Sequence, residues 1–153
     1  APRGSAYPYF PRGRTQPLCE AVDLAADLIA HRISSAATSL DALEVVISGF
    51  REQLADSSFR AGCPVVAVAV EADNTDVLAR AAAAFTRWIA LIEERLRADG
   101  VAPDHAAEIA MLITTSVEGA VLVARTTGAL APLDLVHRQL RALVAAETDE
   151  RKA

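Results

Sequence analysis

Hydrophobic residues recur every three or four positions along most of the chain, which is the spacing of helices with one buried face. The pattern predicts a helix over residues 16–34, a second from Ser39 to about Ala55, and a third over residues 75–99. Ser39 and Asn74 or Thr75 are suitable helix N-caps, and Gly100 is a suitable end for the third helix. These three segments therefore predict amphipathic helices around a common core.

One stretch of the sequence is ambiguous. Residues 63–70 read CPVVAVAV, and their β-branched side chains favour a buried strand. No other part of the chain offers a partner strand, and Pro64 is suited to the first turn of a helix. We therefore predict a short helix that begins at Pro64 and a fold that is all α.

The segment 102–127 is apolar around its whole circumference. Pro103 suits its first turn, Gly128 follows its end, and Glu118 is the sole acidic residue between Ile109 and Ala124. Its charged ends and its internal polar residues argue against a membrane span. A helix without a polar face is covered on more than one side, so we expect one side to meet the core and the other a second copy of the chain.

A last helix begins at Pro132, and its apolar residues repeat at alternating steps of three and four, as in narrow helix-on-helix seams. We expect a homodimer in which the last two helices of each subunit form a four-helix bundle. The predicted interface residues are Gly119, Leu122, Leu133, Val136, His137, Leu140, Leu143 and Val144. Gly119 would allow close approach of two helices.

Composition places these helices in one domain's worth of chain, with 153 residues of which 52% are hydrophobic. The two cysteines cannot make a disulfide framework, which is typical of a reducing cytoplasm. The net charge of -5 conceals an asymmetry, because Arg3, Arg12 and Arg14 are the only charged residues among the first 19. This basic end could contact a polyanion, or it could be a solvated terminus.

Enzyme chemistry has little support in the sequence. Cys63 has no histidine motif to activate it, there is no phosphate-binding loop, and most carboxylates fall on polar helix faces. The three histidines are far apart and do not have the spacing of metal ligands. The sequence therefore predicts neither an enzyme nor a protein with a metal or cofactor.

Several runs of residues resemble a known family. Residues 4–14, GSAYPYFPRGR, are similar to the end of the DNA-binding domain in TetR-family transcriptional regulators. The runs FRAGCP at 59–64, FTRW at 85–88, and EGA with LVAR at 118–125 resemble the regulatory domain of the LmrA/YxaF-like branch. The resemblance covers essentially the whole chain, and the three later runs occur in the order of the family.

The resemblance implies two parts. Residues 1–13 would be a remnant of the helix-turn-helix domain, with its first two helices absent, and residues 14–153 would form the ligand-binding and dimerisation domain. By position, Ser5, Tyr7 and Tyr9 would lie near the DNA backbone or bases, and Arg14 would contact a phosphate. The partner implied is double-stranded operator DNA.

A regulatory domain of this family also implies a pocket for a small molecule, built from apolar walls with a few polar groups. The candidate residues are Phe50, Phe59, Phe85, Trp88, Met111, Thr114, Thr115 and Glu118. For Phe85 and Trp88 individually, an ordinary core role is favoured over a place in the pocket wall. A carboxylate on an apolar helix needs a partner, so Glu118 either binds a cationic group or pairs with Arg125.

Together these features predict a cytoplasmic, ligand-responsive transcriptional repressor that binds operator DNA as a homodimer. A small apolar or amphiphilic effector, entering between the helices at 16–34, 75–99 and 103–127, would release it from DNA. The alternative is a helical dimeric protein that binds small molecules or acts as a scaffold without binding DNA.

Overall fold

A computed structural model describes residues 15–149 of the protein, and all the regular structure in that range is helical. The helices are α1 (Thr15–Ser35), α2 (Ser39–Asp56), α3 (Pro64–Glu71), α4 (Thr75–Ala98), α5 (Pro103–Thr127) and α6 (Ala131–Asp149). The all-α prediction is confirmed, and the ambiguous apolar stretch forms α3 with Pro64 as its first residue.

The helix ends follow from local chemistry. Asn74 caps α4, with its side-chain oxygen accepting a hydrogen bond from the backbone N–H of Asp76 at 2.9 Å. The cap of α2 is Thr38 rather than the predicted Ser39. Ser39 instead donates from its hydroxyl to the carboxylate of Asp99 at 2.5 Å, which ties the start of α2 to the end of α4. Gly128 ends α5 in the left-handed conformation.

The centre of the core is the contact between α1 and α4. Trp88 on α4 is 2% exposed, and its indole N–H donates to the carbonyl oxygen of Ala26 on α1 at 3.0 Å. Phe85 packs edge-on against the indole, with ring centroids 5.5 Å apart. The hydrogen bond fixes the position of α4 along α1, and the contact with Phe85, which lies within α4, supports the indole. Helix α5 then packs on α4.

Helix α6 lies against α5 and α2 of its own subunit. Leu133, Leu140 and Val144 are buried there, and Val136 and Leu143 pack against the same core. His137 lies 3.0 Å from the carboxylate of Glu44 on α2. The predicted dimer seam on α6 is therefore an intramolecular seam. The spacing correctly indicated helix packing, but spacing does not say which chain supplies the partner.

Helix α5 is long and apolar enough to cross a membrane by length and composition, with a mean hydropathy of 1.6 over its most apolar window. Within that window 44% of the residues are buried against the other helices of the chain. The remaining apolar surface of α5 faces outward. This division into a buried side and an outward side organises the site described below.

We expect Leu133→Ala to destabilise the subunit by about 3 kcal/mol, because it removes a fully buried side chain and leaves a cavity. Leu24→Ala is the matched control, since Leu24 is a helical leucine that is 73% exposed. Its effect should stay within roughly 0.5 kcal/mol. Urea unfolding followed by circular dichroism measures both. Equal losses in the two variants would contradict the placement of α6.

Candidate functional site

The inner side of α5 borders a small apolar cavity between the helices. Its volume is about 30 Å³, enough for one or two water molecules but not for an effector. The walls are almost entirely apolar and come from α1, α2, α4 and α5. They comprise Ile29, Ile33, Ser39, Ala42, Leu43, Val46, Phe50, Trp88, Ile92, Ile113, Thr114, Val117 and Glu118.

Half of the predicted pocket residues line this cavity: Phe50, Trp88, Thr114 and Glu118. The other four lie elsewhere. Phe85 supports the indole from beside the cavity, and Phe59 packs against the core from the turn after α2. Met111 and Thr115 are exposed on the outward side of α5, where they share one face because residues four positions apart on a helix are neighbours.

Most polar groups at the cavity already have partners. The Thr114 hydroxyl donates to the Ala110 carbonyl of its own helix at 3.0 Å, and Ser39 is bonded to Asp99. Glu118 differs. Its Oε2 atom is buried and has no hydrogen-bond partner among residues 15–149. A buried acceptor without a donor is unfavourable, so Glu118 is the residue at this cavity whose hydrogen bonding is left unsatisfied.

Glu118 also borders a second, larger space. A groove of about 350 Å³ runs between α3 and α5, and it opens to the surface. Its lining residues are Arg60, Gly62, Cys63, Pro64, Val66, Ala67, Val70, Glu71, Glu118, Val121, Leu122 and Arg125. The groove exists because α3 packs on α1 and α4 rather than closely on α5. Glu118 thus lines both the small cavity and the groove.

Burial raises the pKa of Glu118 to about 7, because the carboxylate is removed from water, and the neighbouring Cys63 thiol offsets only part of this effect. Burial and the nearby carboxylate raise the pKa of the Cys63 thiol to about 12. The thiol is therefore protonated and a poor nucleophile. The pair forms a polar spot whose charge changes near neutral pH.

Arg125 is not the partner of Glu118. Its Nε donates to the carbonyl oxygen of Arg60 at 3.1 Å, which holds the segment before α3 against the end of α5. Gly62 makes this possible, because a Cβ there would lie 3.0 Å from the Arg125 Cδ. Of the two roles that the sequence left open for Glu118, pairing with Arg125 is therefore excluded by this arrangement.

The outward side of α5 is an apolar stripe. Met111, Leu112, Leu122 and Val123 are each between 44% and 51% exposed. Gly119 lies among them, and a Cβ at this position would meet nothing within 4 Å. Leu135 on α6, joined to α5 by a short turn, is also exposed. We refer to these six residues as the outer stripe, and of the predicted interface residues it contains Gly119 and Leu122.

Sequence reasoning missed most of the groove. Arg60, Gly62, Cys63 and Arg125 lie in runs that resembled the family, but their types gave no sign that they surround one space. The predicted DNA-contacting residues Ser5, Tyr7, Tyr9 and Arg14 lie outside the residues that the structure describes, as does the boundary between residues 13 and 14.

Replacing Glu118 should reveal its burial through pH. Because its folded-state pKa lies above its unfolded value of 4.5, ionisation opposes folding as pH rises from 4.5 to about 7, and the full penalty remains above 7. We expect Glu118→Gln to raise the free energy of unfolding above neutral pH by on the order of 2 kcal/mol, with a much smaller gain near pH 4.5. Urea unfolding across this range measures the effect.

Glu71→Gln is the matched control, because Glu71 is an exposed carboxylate in the same groove. Its effect on the free energy of unfolding should not vary with pH over the same range. A Glu118→Gln effect that is identical at both ends of the pH range would contradict the burial of this carboxylate.

Comparison with known proteins identifies the family of the chain. Residues 39–139 match the sequence family described as transcriptional regulator LmrA/YxaF-like, C-terminal domain. The chain is 54% identical over 158 residues to an uncharacterized HTH-type transcriptional regulator of Mycobacterium tuberculosis, covering 99% of this chain and 81% of that protein.

Two relatives in Bacillus subtilis are more distant. The uncharacterized HTH-type transcriptional regulator YxaF is 27% identical over 94% of this chain and 78% of its own length. The HTH-type transcriptional regulator LmrA is 29% identical over 87% of this chain and 74% of its own length. The chain therefore belongs to the TetR family of transcriptional regulators, and its matched region is an LmrA/YxaF-like C-terminal domain.

Proposed function

We propose that this transcriptional regulator is a ligand-responsive repressor that acts in the cytoplasm, binds operator DNA as a homodimer and is released by a small effector. The observation that carries the proposal is that α5 presents a candidate ligand-binding residue on one side and a candidate interface on the other. Its inner side presents Glu118, an acceptor without a partner among residues 15–149, and its outer side presents an apolar stripe. One rigid helix thus connects a candidate ligand site to a candidate subunit interface.

The outer stripe supports dimerisation. Contiguous apolar patches on the surface of a soluble protein mark sites of association, and this patch follows one face of α5 for about four turns. Gly119 in its middle has no packing role within the subunit, whereas a second helix could approach closely there. Two copies related by a two-fold axis would each contribute the same stripe, giving a four-helix bundle of α5 and α6 from both subunits.

The two sides of α5 also supply a mechanism. An effector that contacts Glu118 binds one position of α5 better than another, and only this difference in affinity can shift the conformational equilibrium. A shift of α5 changes its packing on α4, which Trp88 holds against α1. Helix α1 follows directly after the segment that resembles the DNA-binding module, so the separation of the two modules in the dimer would change.

We expect Leu112→Glu to convert the dimer to a monomer, because it places a charge on the outer stripe of each subunit. Leu112 is outside both the cavity and the groove. Leu24→Glu on α1 is the matched control, since it changes an exposed leucine on another face. The dimer dissociation constant should rise by at least about 100-fold, or roughly 3 kcal/mol, for Leu112→Glu alone.

Sedimentation velocity at micromolar concentration measures this association. A monomeric parent protein, or a dimer that tolerates Leu112→Glu as well as it tolerates Leu24→Glu, would overturn the proposed interface.

For DNA binding, we expect the full-length protein to bind its own promoter region and Arg14→Ala to weaken that binding. Loss of one phosphate contact should reduce affinity for all sequences about equally and reduce the slope of log affinity against log salt by about 1. Arg97→Ala is the matched control, because Arg97 is an exposed arginine near the end of α4.

Fluorescence anisotropy over a series of salt concentrations gives both the affinity and the slope. Binding that ignores sequence, or no binding at all, would favour the alternative of a dimeric small-molecule-binding or scaffolding protein.

A further inference from the structure

We propose that the effector is an organic cation with one ammonium group on an apolar body, and that it binds in the groove between α3 and α5 with the ammonium group against Glu118. This inference rests on the proposed ligand response and names the chemistry of the ligand. It also places the ligand outside the central cavity where the sequence located the pocket.

The available space favours the groove. The cavity beside Trp88 measures about 30 Å³, whereas the groove measures about 350 Å³. Sites for small molecules in proteins occupy roughly 300–1,000 Å³, so the groove holds such a molecule without any rearrangement of the core. The two spaces share Glu118 as a lining residue, so a ligand in the groove lies beside the side chain that also borders the interior.

The chemistry at Glu118 calls for a donor. Its Oε2 atom has no donor from any residue in the range 15–149, and Arg125 is held away by the Arg60 carbonyl. Cys63 beside it keeps its proton on sulfur and supplies only a weak donor. An ammonium group offers three strong donors and the opposite charge, and charge-assisted hydrogen bonds are the stronger kind. An alcohol offers one donor and no charge.

The other lining residues of the groove favour a ligand that is apolar apart from its ammonium group. Val66 and Val70 on α3 face the same space as Val121 and Leu122 on α5, which gives apolar walls on both sides. The guanidinium groups of Arg60 and Arg125 belong to the same lining and oppose a second positive charge. Arg60, Arg125 and Glu71 are all exposed, so water screens all three side chains, and the two guanidinium groups outnumber the one exposed carboxylate. A single ammonium group at one end of an apolar chain fits this distribution better than a polyamine.

The test compares three probes of equal length on the full-length protein: hexylamine, hexanol and hexanoate. Isothermal titration calorimetry at about pH 8 keeps the amine charged. We expect the parent protein to bind hexylamine at least about tenfold more tightly than hexanol, and hexanoate more weakly than both. An amine that binds no more tightly than the alcohol would overturn the proposal.

Two variants locate the site. Glu118→Gln should abolish the preference for the amine over the alcohol, whereas Glu71→Gln, the exposed carboxylate in the same groove, should retain it. Ala67→Trp fills the groove from an exposed position on α3 and should weaken both probes at least about tenfold. Circular dichroism verifies that each variant is folded. Retained amine preference in Glu118→Gln, or unchanged affinity in Ala67→Trp, would place the amine elsewhere and overturn the proposal.

A DNA-release assay separates this inference from the function on which it rests. Amines that bind with the expected pattern but leave the protein on DNA would preserve the site and contradict its role as an effector site. Release of DNA by a different class of molecule, without amine binding, would preserve the ligand-responsive repressor and contradict the cation-binding groove.

Discussion

Helix α5 is apolar on more sides than one subunit can cover, and the remaining architecture is arranged around that constraint. Ile109, Ile113 and Val117 enter the core against α4 and its neighbours. Met111, Leu112 and Val123 are left partly exposed on the opposite side. A helix of this kind gains stability from burial on its inner face, while its outer face is unfavourable in water until another surface covers it.

The same helix places a buried carboxylate and an exposed apolar surface within a few residues of each other. Glu118 lines the apolar cavity and the groove, while Gly119, the next residue, faces outward among apolar side chains. Successive residues on a helix point about 100° apart, so this juxtaposition follows directly from helical geometry. A change in the position of α5 at the groove cannot leave the outer stripe where it was, because one rigid element carries both.

Much of the fold was predictable because it depends on local chemistry. Asn74, Pro103 and Gly128 mark helix ends through capping, a missing N–H and a left-handed φ angle, and each was read from sequence. The partner of a helix face is not local information. The α6 residues Leu133 and Leu140 had the spacing of a packing seam, but only the path of the chain shows that α5 and α2 of the same subunit cover them.

The candidate site was likewise predictable only in part. Glu118 was identifiable because a lone acidic residue on an apolar helix is unusual. Trp88 and Phe50 were identifiable because large apolar residues are usually buried in the core. The groove was not identifiable, because it depends on α3 packing on α1 and α4 rather than closely on α5. The chain approaches α3 through a turn in which Ser58 and Phe59 both adopt positive φ angles, of 51° and 61°. Such angles are uncommon for a bulky residue, so sequence gives little sign of a turn that sets the path of the chain into α3.

Gly119 indicates that this sequence does not maximise the stability of the isolated chain. Glycine in the interior of a helix is less favourable than alanine by about 1 kcal/mol, and a methyl group at this position would clash with nothing in the subunit. The isolated chain would therefore fold more firmly with alanine there. The chain has glycine instead and lacks this added stability. Such a loss is expected where a surface serves contact with another molecule as well as folding.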